Sequence, residues 1–272
     1  MKKVLFIVVV VLLLIAFGVS AFMVGNYLLD SKKQADRNNA LQQMVADAKQ
    51  PTDAAAKETV PGENTPEETI RETVPAVVGE DGILTEYAGL HELNNDMVGW
   101  LEIPGTKLQY PVMHRPNEVN YYLYRDFDKE ASDWGAIYAW EKADINKPSD
   151  NITLFGHNMK DGSMFATLNN YENEYYWEDN SMILFNTLHE YHTYKIFAVF
   201  KTTATVGKGF SYHKFVDAAD EKAFNDFVAS CKKLSLYDTG ITPVYGDKLI
   251  CLSTCAYHTE NGRLVVAAVR IT

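Results

Sequence analysis

The chain has 272 residues, enough for one large domain or two small ones, and 47% of them are hydrophobic, which suffices for a substantial core. The formal net charge of −11 argues against nucleic acid as a partner, because phosphates require a basic surface. The 16 tyrosines and 13 phenylalanines favour a β-rich fold.

The N-terminal segment is strongly apolar. Residues 4–29 carry no charge, and about 20 such residues cross the ~30 Å core of a bilayer. A cleaved signal peptide is the alternative, because Val19-Ser20-Ala21 resembles a cleavage site. The apolar run continues past that site, which favours an uncleaved membrane anchor over residues 1–29. Basic residues flank both ends, so charge alone does not decide the orientation.

Residues 30–82 are predicted to connect this anchor to a folded domain. The stretch 30–47 is compatible with a polar juxtamembrane helix. The stretch 48–82 contains four prolines and eight acidic residues among threonine and alanine. Such a composition buries too little apolar surface to fold, so we expect an extended acidic linker. The folded domain is predicted to span residues 83–272.

The folded domain is predicted to be a barrel. Apolar residues between positions 83 and 97 have helical spacing. Eight strands are predicted, at residues 98–103, 107–113, 135–140, 151–155, 183–188, 194–201, 248–253 and 263–271. The number of strands and their predominantly short connections favour a closed or nearly closed barrel. Closure would also remove exposed strand edges.

A late helix is predicted just before the penultimate strand. We expect Asp217 to cap it, because an aspartate side chain accepts hydrogen bonds from the first free N–H groups of a helix. Its apolar face is predicted from helical spacing to contain Phe224, Phe227, Val228, Cys231 and Leu234.

The most reactive pattern lies between residues 249 and 266. A predicted buried strand ends at Cys255, a loop follows, and the next strand opens with Arg263. Hairpin geometry would make these two residues neighbours. A guanidinium beside a thiol favours the thiolate and can donate hydrogen bonds to an oxyanion. The pair still requires a base.

His157 is the candidate for that base. It follows Gly156 and the apolar segment 151–155. In nucleophilic enzymes cysteine and histidine are adjacent in space and not in sequence, so their separation is no objection. A loop histidine and a core cysteine would produce the same pattern, and these residue types alone leave both interpretations open.

Two motifs together resemble class B sortases. They are Gly156-His157-Asn158-Met159-Lys160-Asp161-Gly162-Ser163-Met164-Phe165 and Leu252-Ser253-Thr254-Cys255, with Arg263 downstream. The similarity runs over roughly residues 82–272. It implies a mainly β fold, a closed sortase-type barrel of about eight strands, with an N-terminal helix and a late helix inserted before the cysteine strand.

The resemblance also implies a cysteine transpeptidase, with Cys255 as nucleophile, His157 as acid/base and Arg263 as transition-state stabiliser. Such an enzyme cleaves a C-terminal sorting motif of a surface protein after threonine and forms a thioester. It then transfers the protein to an amine of a peptidoglycan precursor. The implied location is the cell membrane, single-pass, with the catalytic domain extracellular, and no cofactor is implied. A pilin-polymerising sortase that uses a lysine amine, and a catalytically silent surface-binding module, are the alternatives.

The sequence departs from the family's pattern at the substrate end of the site. Ala256-Tyr257 follows the cysteine where several members have an acidic residue nearby, and the loop to Arg263 is short. We assign Ser253 and Thr254 to substrate binding. One of the two should face the substrate and the other should pack or hydrogen-bond beneath Cys255, and strand alternation places Ser253 on the face of Cys255.

Asp161 has two interpretations. It lies four residues after His157 and could orient the imidazole as the third member of a triad. Alternatively, Asp161-Gly162 forms a turn and Ser163 caps a short following helix, which we favour.

Neither a metal site nor a disulfide is favoured. Cys251 and Cys255 are four residues apart on one predicted strand, about 13 Å, too far to share a zinc ion or form a bridge. A zinc site assembled from these cysteines with His157 and His258 is therefore disfavoured. A Cys231–Cys251 disulfide remains an alternative to free cysteines.

Overall fold

The structure, a computed structural model, describes residues 2–49, 77–205, 207–256 and 259–272. Its helices are α1 (Lys2–Lys49), α2 (Thr85–Leu93), α3 (Glu174–Asp179) and α4 (Glu221–Leu234). Its strands are β1 (Met97–Glu102), β2 (Gln109–Met113), β3 (Ile137–Ala139), β4 (Asn151–Phe155), β5 (Met182–Thr187), β6 (Thr193–Thr203), β7 (Leu249–Cys255) and β8 (Gly262–Arg270). Short 3-10 helices are found at Tyr121–Tyr124, Phe165–Glu172 and Tyr212–Lys214.

The strands form one closed barrel in the order β1-β2-β3-β4-β7-β8-β6-β5, and β5 pairs back to β1. The pairs β2–β3 and β4–β7 are parallel, and the others are antiparallel. This confirms the predicted mainly β, closed barrel, and each predicted strand is present with its ends displaced by one or two residues at most. The parallel β4–β7 pair places the segments after both strands at the same end of the barrel.

A second core lies on the outer face of the barrel. It joins the buried side of α4, which includes Cys231, to outward-facing residues of β6, β7 and β8, which include Cys251.

The N-terminal cap of α4 is Asp220, whose carboxylate accepts from Ala223 N at 2.8 Å. The predicted cap, Asp217, is wrong, because its carboxylate accepts instead from Asp150 N in a neighbouring segment. Of the predicted apolar face, Leu234 is 40% exposed and the remainder is buried.

The chain divides into two compact units, residues Met1–Leu41 and Gln42–Thr272. The first unit is formed by the part of helix α1 that ends at Leu41. This helix contains a window of mean hydropathy 3.2 and is long and apolar enough to cross a membrane. It is the candidate membrane anchor.

The second unit begins earlier than the predicted boundary at residue 83. The last two turns of α1 belong to it: Gln42 Nε2 donates to Gln109 O at 3.0 Å, and Val45 is buried. The methyl end of Met44 lies 3.6 Å from where a side chain at Gly89 of α2 would begin. Residues 50–76, most of the predicted linker, lie outside the described residues. The last turns of α1 are therefore packed as part of the second unit.

We expect deletion of residues 1–76 to destabilise the folded unit relative to deletion of residues 1–41. The shorter deletion keeps Val45 and the Gln42 hydrogen bond. Burial of a valine side chain stabilises by about 1.5–3 kcal/mol. For a domain of this size that corresponds to a melting temperature roughly 3–12 °C lower for the longer deletion. Thermal unfolding of both proteins measures this, and equal melting temperatures would contradict it.

Candidate active site

Strands β7 and β8 place Cys255 beside Arg263. The two residues are direct partners in the antiparallel ladder, so their side chains leave the sheet on the same face. The adjacency predicted from hairpin geometry is therefore present in the structure. The N–H of the next residue, Ala256, donates to Gly262 O at 2.9 Å and closes the hairpin.

Cys255 is the one partly exposed member of the three cysteines. Alternation along β7 places it on the same outer face as Cys251, but only Cys251 lies beneath α4. Cys231 and Cys251 are fully buried, and burial raises the pKa of both thiols well above the usual range. All three cysteines are free, so the alternative Cys231–Cys251 disulfide is not formed. Cys255 is the thiol that a substrate can reach.

His157 lies at the same end of the barrel. Strand β4 ends at Phe155, beside Ser253, and Gly156 N continues the ladder by donating to Ser253 O at 3.2 Å. The imidazole Nε2 lies 2.7 Å from Leu123 O. A carbonyl oxygen only accepts, so Nε2 carries a proton and the neutral ring offers Nδ1 as its basic nitrogen. The imidazole is thereby oriented by a backbone group.

The Leu123 carbonyl is held by its own loop. It lies in the 3-10 helix Tyr121–Tyr124, and the ring of Tyr124 lies 5.6 Å from that of His157. Gly135 has a φ of 59°, and a Cβ there would lie 2.5 Å from Leu123 O. Only glycine combines this backbone conformation with so close an approach. The sequence alone did not identify Leu123 or Gly135 as residues of the site, although a glycine that precedes a strand was a usable signal.

Arg263 is held by the turn of its own hairpin. Its Nη1 donates to Asn261 O at 3.2 Å and to Gly262 O at 2.9 Å. A guanidinium carries five N–H groups in a rigid plane, so these two bonds orient it and leave donors for another acceptor.

An aromatic wall lies beside Cys255 and Arg263. Tyr138 packs on Phe155 with ring centroids 5.5 Å apart, and His213 packs on Trp140 at 4.5 Å. Burial raises the pKa of Tyr138, and the charge of Arg263 opposes that rise. Burial lowers the pKa of His213, and the charges of Lys214 and Arg263 lower it further. Sequence reasoning missed this wall, because only the sheet order brings β3 against β4.

The comparisons with known proteins agree with this geometry. The family model for the sortase domain matches residues 101–271. The chain belongs to the sortase family. Sortase B of Listeria monocytogenes is 30% identical over 220 residues, which cover 77% of this chain and 87% of the relative. Sortase B of Staphylococcus aureus is 26% identical over 191 residues, covering 70% and 76%.

Solved sortase structures share the fold. A Staphylococcus aureus sortase B–substrate complex superposes with a TM-score of 0.70 at 23% identity, covering 90% of this chain and 99% of that one. A mutant form of Clostridium perfringens sortase B superposes with a TM-score of 0.60 at 26% identity, covering 69% and 87%. This sortase is thus a cysteine transpeptidase with class B relatives. Sortases act on surface proteins, and the apolar helix α1 is consistent with membrane anchoring.

Ser253 and Thr254, which the sequence assigns to substrate binding, are both buried. They are 1% and 2% exposed. The Ser253 Oγ lies 2.5 Å from the hydroxyl of Tyr212, and Thr254 Oγ1 donates to Gly156 O at 2.8 Å. Burial raises the pKa of Tyr212 to about 12. A direct substrate-binding role does not fit these buried, internally bonded hydroxyls, which connect β7 to the 3-10 helix Tyr212–Lys214 and to the His157 segment.

Asp161 forms the favoured turn. Gly162 has a φ of 83° and its N–H donates to Met159 O, while the Asp161 carboxylate accepts from Trp134 Nε1 at 3.0 Å and from Ser163. The orienting partner seen for the imidazole is Leu123 O and not this carboxylate. Ser163 does not cap the next helix, which has Met164 at its N-cap position without a side-chain bond.

No metal cluster is seen within the described ranges. No group of three or more histidine, cysteine, aspartate or glutamate side chains is placed there to hold a metal ion. His258, a member of the disfavoured zinc set, lies outside them, as does Tyr257.

Asp96 stabilises the loop that carries Leu123. Its carboxylate accepts from the hydroxyl of Tyr122 at 2.7 Å and pairs with Arg115 at 3.1 Å and Lys129 at 3.2 Å. Burial alone would raise the pKa of Asp96, but these hydrogen bonds and charges together lower it below its usual value. The ionised carboxylate therefore contributes to the stability of this loop.

We expect Asp96→Asn to destabilise the protein by about 1–3 kcal/mol at pH 7, because it removes the charged acceptor of the hydrogen bond from the buried Tyr122 hydroxyl. A depressed folded-state pKa stabilises the fold above the unfolded value of ~3.9, and that contribution is lost as pH falls through the folded value. The difference in the free energy of unfolding between Asp96→Asn and the wild type should therefore become smaller below about pH 4. Urea unfolding at several pH values measures it. Asp133→Asn, an exposed position in the same loop, is the control, and a difference independent of pH would contradict the assignment.

Proposed function

We propose that this sortase cleaves a C-terminal sorting motif after threonine and transfers the new carboxyl end to an amine of cell-wall peptidoglycan. The observation that carries the proposal is the pairing of Cys255 with Arg263 at the end of β7, where Gly156 of the His157 segment is bonded to the same strand. The residues to which we assign the roles of nucleophile, acid/base and oxyanion donor, Cys255, His157 and Arg263, thus lie at the same end of the barrel.

In the first half-reaction the Cys255 thiolate attacks the carbonyl carbon of the threonine, and a carbon–sulfur bond forms. The negative charge that develops on the carbonyl oxygen accepts hydrogen bonds from the Arg263 guanidinium. The Ala256 N–H already donates to Gly262 O, so we assign stabilisation of the oxyanion to Arg263. The carbon–nitrogen bond then breaks, and protonated His157 supplies the proton for the departing amine. A thioester remains.

In the second half-reaction the acceptor amine attacks the thioester carbonyl. It loses a proton to His157, a new amide bond forms, and the carbon–sulfur bond breaks to regenerate the thiolate. The partly exposed rings of Phe155 and His213, 6.3 Å apart, support a peptide substrate lying along this face, because ligand sites are lined predominantly by apolar and aromatic side chains.

The proposed setting is a single-pass membrane protein with an uncleaved anchor at residues 1–29, a connecting segment at 30–82, and an extracellular catalytic domain. The length and hydropathy of α1 support the anchor. The extracellular side follows from the proposed substrates, which are surface proteins.

A peptide-library assay tests the proposal. The folded unit is incubated with peptides that carry varied C-terminal motifs, and products are read by mass spectrometry. Cleavage after threonine with a trappable thioester on Cys255 is expected. Acceptors are then compared: a peptidoglycan stem-peptide amine should be joined to the product, whereas exclusive use of a lysine in a folded protein would indicate subunit polymerisation. No cleavage of any motif by folded protein would overturn the proposal.

A further inference from the structure

We propose that Asn158 is a positioning residue that holds His157 against the cysteine strand, with Asn169 orienting its amide. The inference rests on the proposed roles of Cys255 and His157. It concerns a side chain that immediately follows the histidine in the sequence and reaches the backbone of the nucleophile, 97 residues later.

The central contact is a hydrogen bond from Asn158 Nδ2 to the carbonyl oxygen of Cys255 at 2.9 Å. Asn158 is partly buried. Since an amide nitrogen is the donor in this bond, only a side chain with an N–H or O–H at this distance can replace it. The bond joins the peptide group of the nucleophile directly to the segment of the acid/base.

Asn169 determines which way the Asn158 amide faces. Its Nδ2 donates to Asn158 Oδ1 at 2.9 Å and also to Ala166 O at 2.9 Å, within the 3-10 helix Phe165–Glu172. With Oδ1 engaged by Asn169, the Nδ2 group of Asn158 is the end that faces Cys255 O. The amide therefore has one favoured orientation, and the donor is prepared before substrate arrives.

His157 lies between two connections to the same strand. On its N-terminal side, Gly156 O accepts from Thr254 Oγ1 at 2.8 Å. On its C-terminal side, Asn158 binds Cys255 O. The imidazole itself is held by Leu123 O. The bonds from Thr254 and Asn158 set the backbone of His157 relative to β7, and the bond to Leu123 sets the direction of the ring.

Proton transfer between a thiol and an imidazole requires hydrogen-bond reach, and a displacement of about 1 Å can cost about a hundredfold in rate. Loss of the Asn158 bond should therefore weaken the coupling between His157 and Cys255 without removing either group. A purely structural asparagine would lower the melting temperature and leave that coupling unchanged.

The test compares Asn158→Ala and the isosteric Asn158→Asp, which removes the donor, with Asn169→Ala. Asn170→Ala is the matched control, because Asn170 is an exposed neighbour in the same 3-10 helix. Three measurements are made on each folded unit: kcat and KM for peptide cleavage, the rate of Cys255 alkylation by iodoacetamide against pH, and the melting temperature. The other two cysteines are fully buried, so alkylation of folded protein reports Cys255. Cys255→Ala and His157→Ala are assayed alongside.

We expect both Asn158 variants to lose about 10–100-fold in kcat, with KM changed by less than about threefold. Their alkylation profiles should move toward that of His157→Ala. Asn169→Ala should show a smaller change in the same direction, and Asn170→Ala should match the wild type. If one Asn158 variant fails to fold, the same measurements on the other Asn158 variant and on Asn169→Ala still test the inference.

Wild-type kcat in the Asn158 variants, or a reduced kcat with an alkylation profile that superposes on the wild type, would overturn the inference. In either case inactive Cys255→Ala and His157→Ala proteins would leave the proposed function intact. An active Cys255→Ala protein would overturn the proposed function itself, so the two failures are distinguishable.

Discussion

Replacing Cys255 by alanine should abolish both peptide cleavage and amine transfer. Without the thiol no thioester forms, and neither half-reaction has a route through an acyl-enzyme. General acid/base assistance alone supplies about 10²–10⁴-fold, so the residual rate should lie below about one part in a thousand. The side chain is partly exposed at the end of β7, so its loss should change the melting temperature little.

Cys251→Ala is the matched control, four residues earlier on the same face of β7. Cys251 is fully buried beneath α4. Its truncation should leave turnover near the wild type but destabilise the protein by about 1 kcal/mol, as is typical of a small core deletion. Peptide cleavage by chromatography and thermal unfolding, measured on both variants, should give opposite patterns. Turnover by Cys255→Ala above about one part in a thousand would contradict the nucleophile assignment.

The barrel was predictable because its signals are local. Each of β1 to β8 alternates or is continuously apolar over a few residues and ends at a turn, so the strands could be found one at a time. The Cys255–Arg263 pair was equally accessible, because a hairpin brings together residues a few positions apart and its register follows from a short turn.

The partner of His157 was not predictable in the same way. Leu123 acts through its backbone carbonyl. Every residue has such a carbonyl, so the residue type at this position gives no sign of the contact. The loop that carries it contains a 3-10 helix and no regular repeat, so its course depends on tertiary bonds such as that from Tyr122 to Asp96. The turn at Asp161, in contrast, was predictable because Asp-Gly has a strong local preference.

Ser253 and Thr254 illustrate the limit of strand alternation. Alternation places Ser253 on the outer face of β7 but does not reveal that the 3-10 helix Tyr212–Lys214 covers it. Nor does alternation distinguish a substrate-facing hydroxyl from one that, like Thr254, bonds the carbonyl of a neighbouring segment. Likewise, Met44 and Val45 gave an apolar signal within a polar stretch, yet only the fold shows that the last turns of α1 belong to the second unit.

Arg263→Lys should lose about 10²–10³-fold in kcat although the positive charge is retained. That is the typical effect of removing one oxyanion donor. In the structure Nη1 is fixed by Asn261 O and Gly262 O, so the rest of the planar guanidinium is oriented before reaction. A lysine ammonium is a mobile point charge and cannot bond the turn carbonyls while presenting a second, fixed group to the oxyanion. Because the oxyanion exists only in the transition state and the tetrahedral intermediate, KM should change little.

Arg270→Lys is the matched control for this substitution. Arg270 lies at the other end of β8, about 23 Å away at ~3.3 Å per residue, and turnover there should remain within about twofold of the wild type. Steady-state kinetics on both variants, with alkylation of Cys255 to confirm that the thiol is still reactive, separate the two roles that Arg263 could have. If Arg263→Lys turns over like the wild type, a nearby positive charge is sufficient and the guanidinium does not act as a directed oxyanion donor. If the lysine variant loses turnover while its thiol is alkylated at the wild-type rate, the charge has been kept and the hydrogen-bond geometry is what was lost.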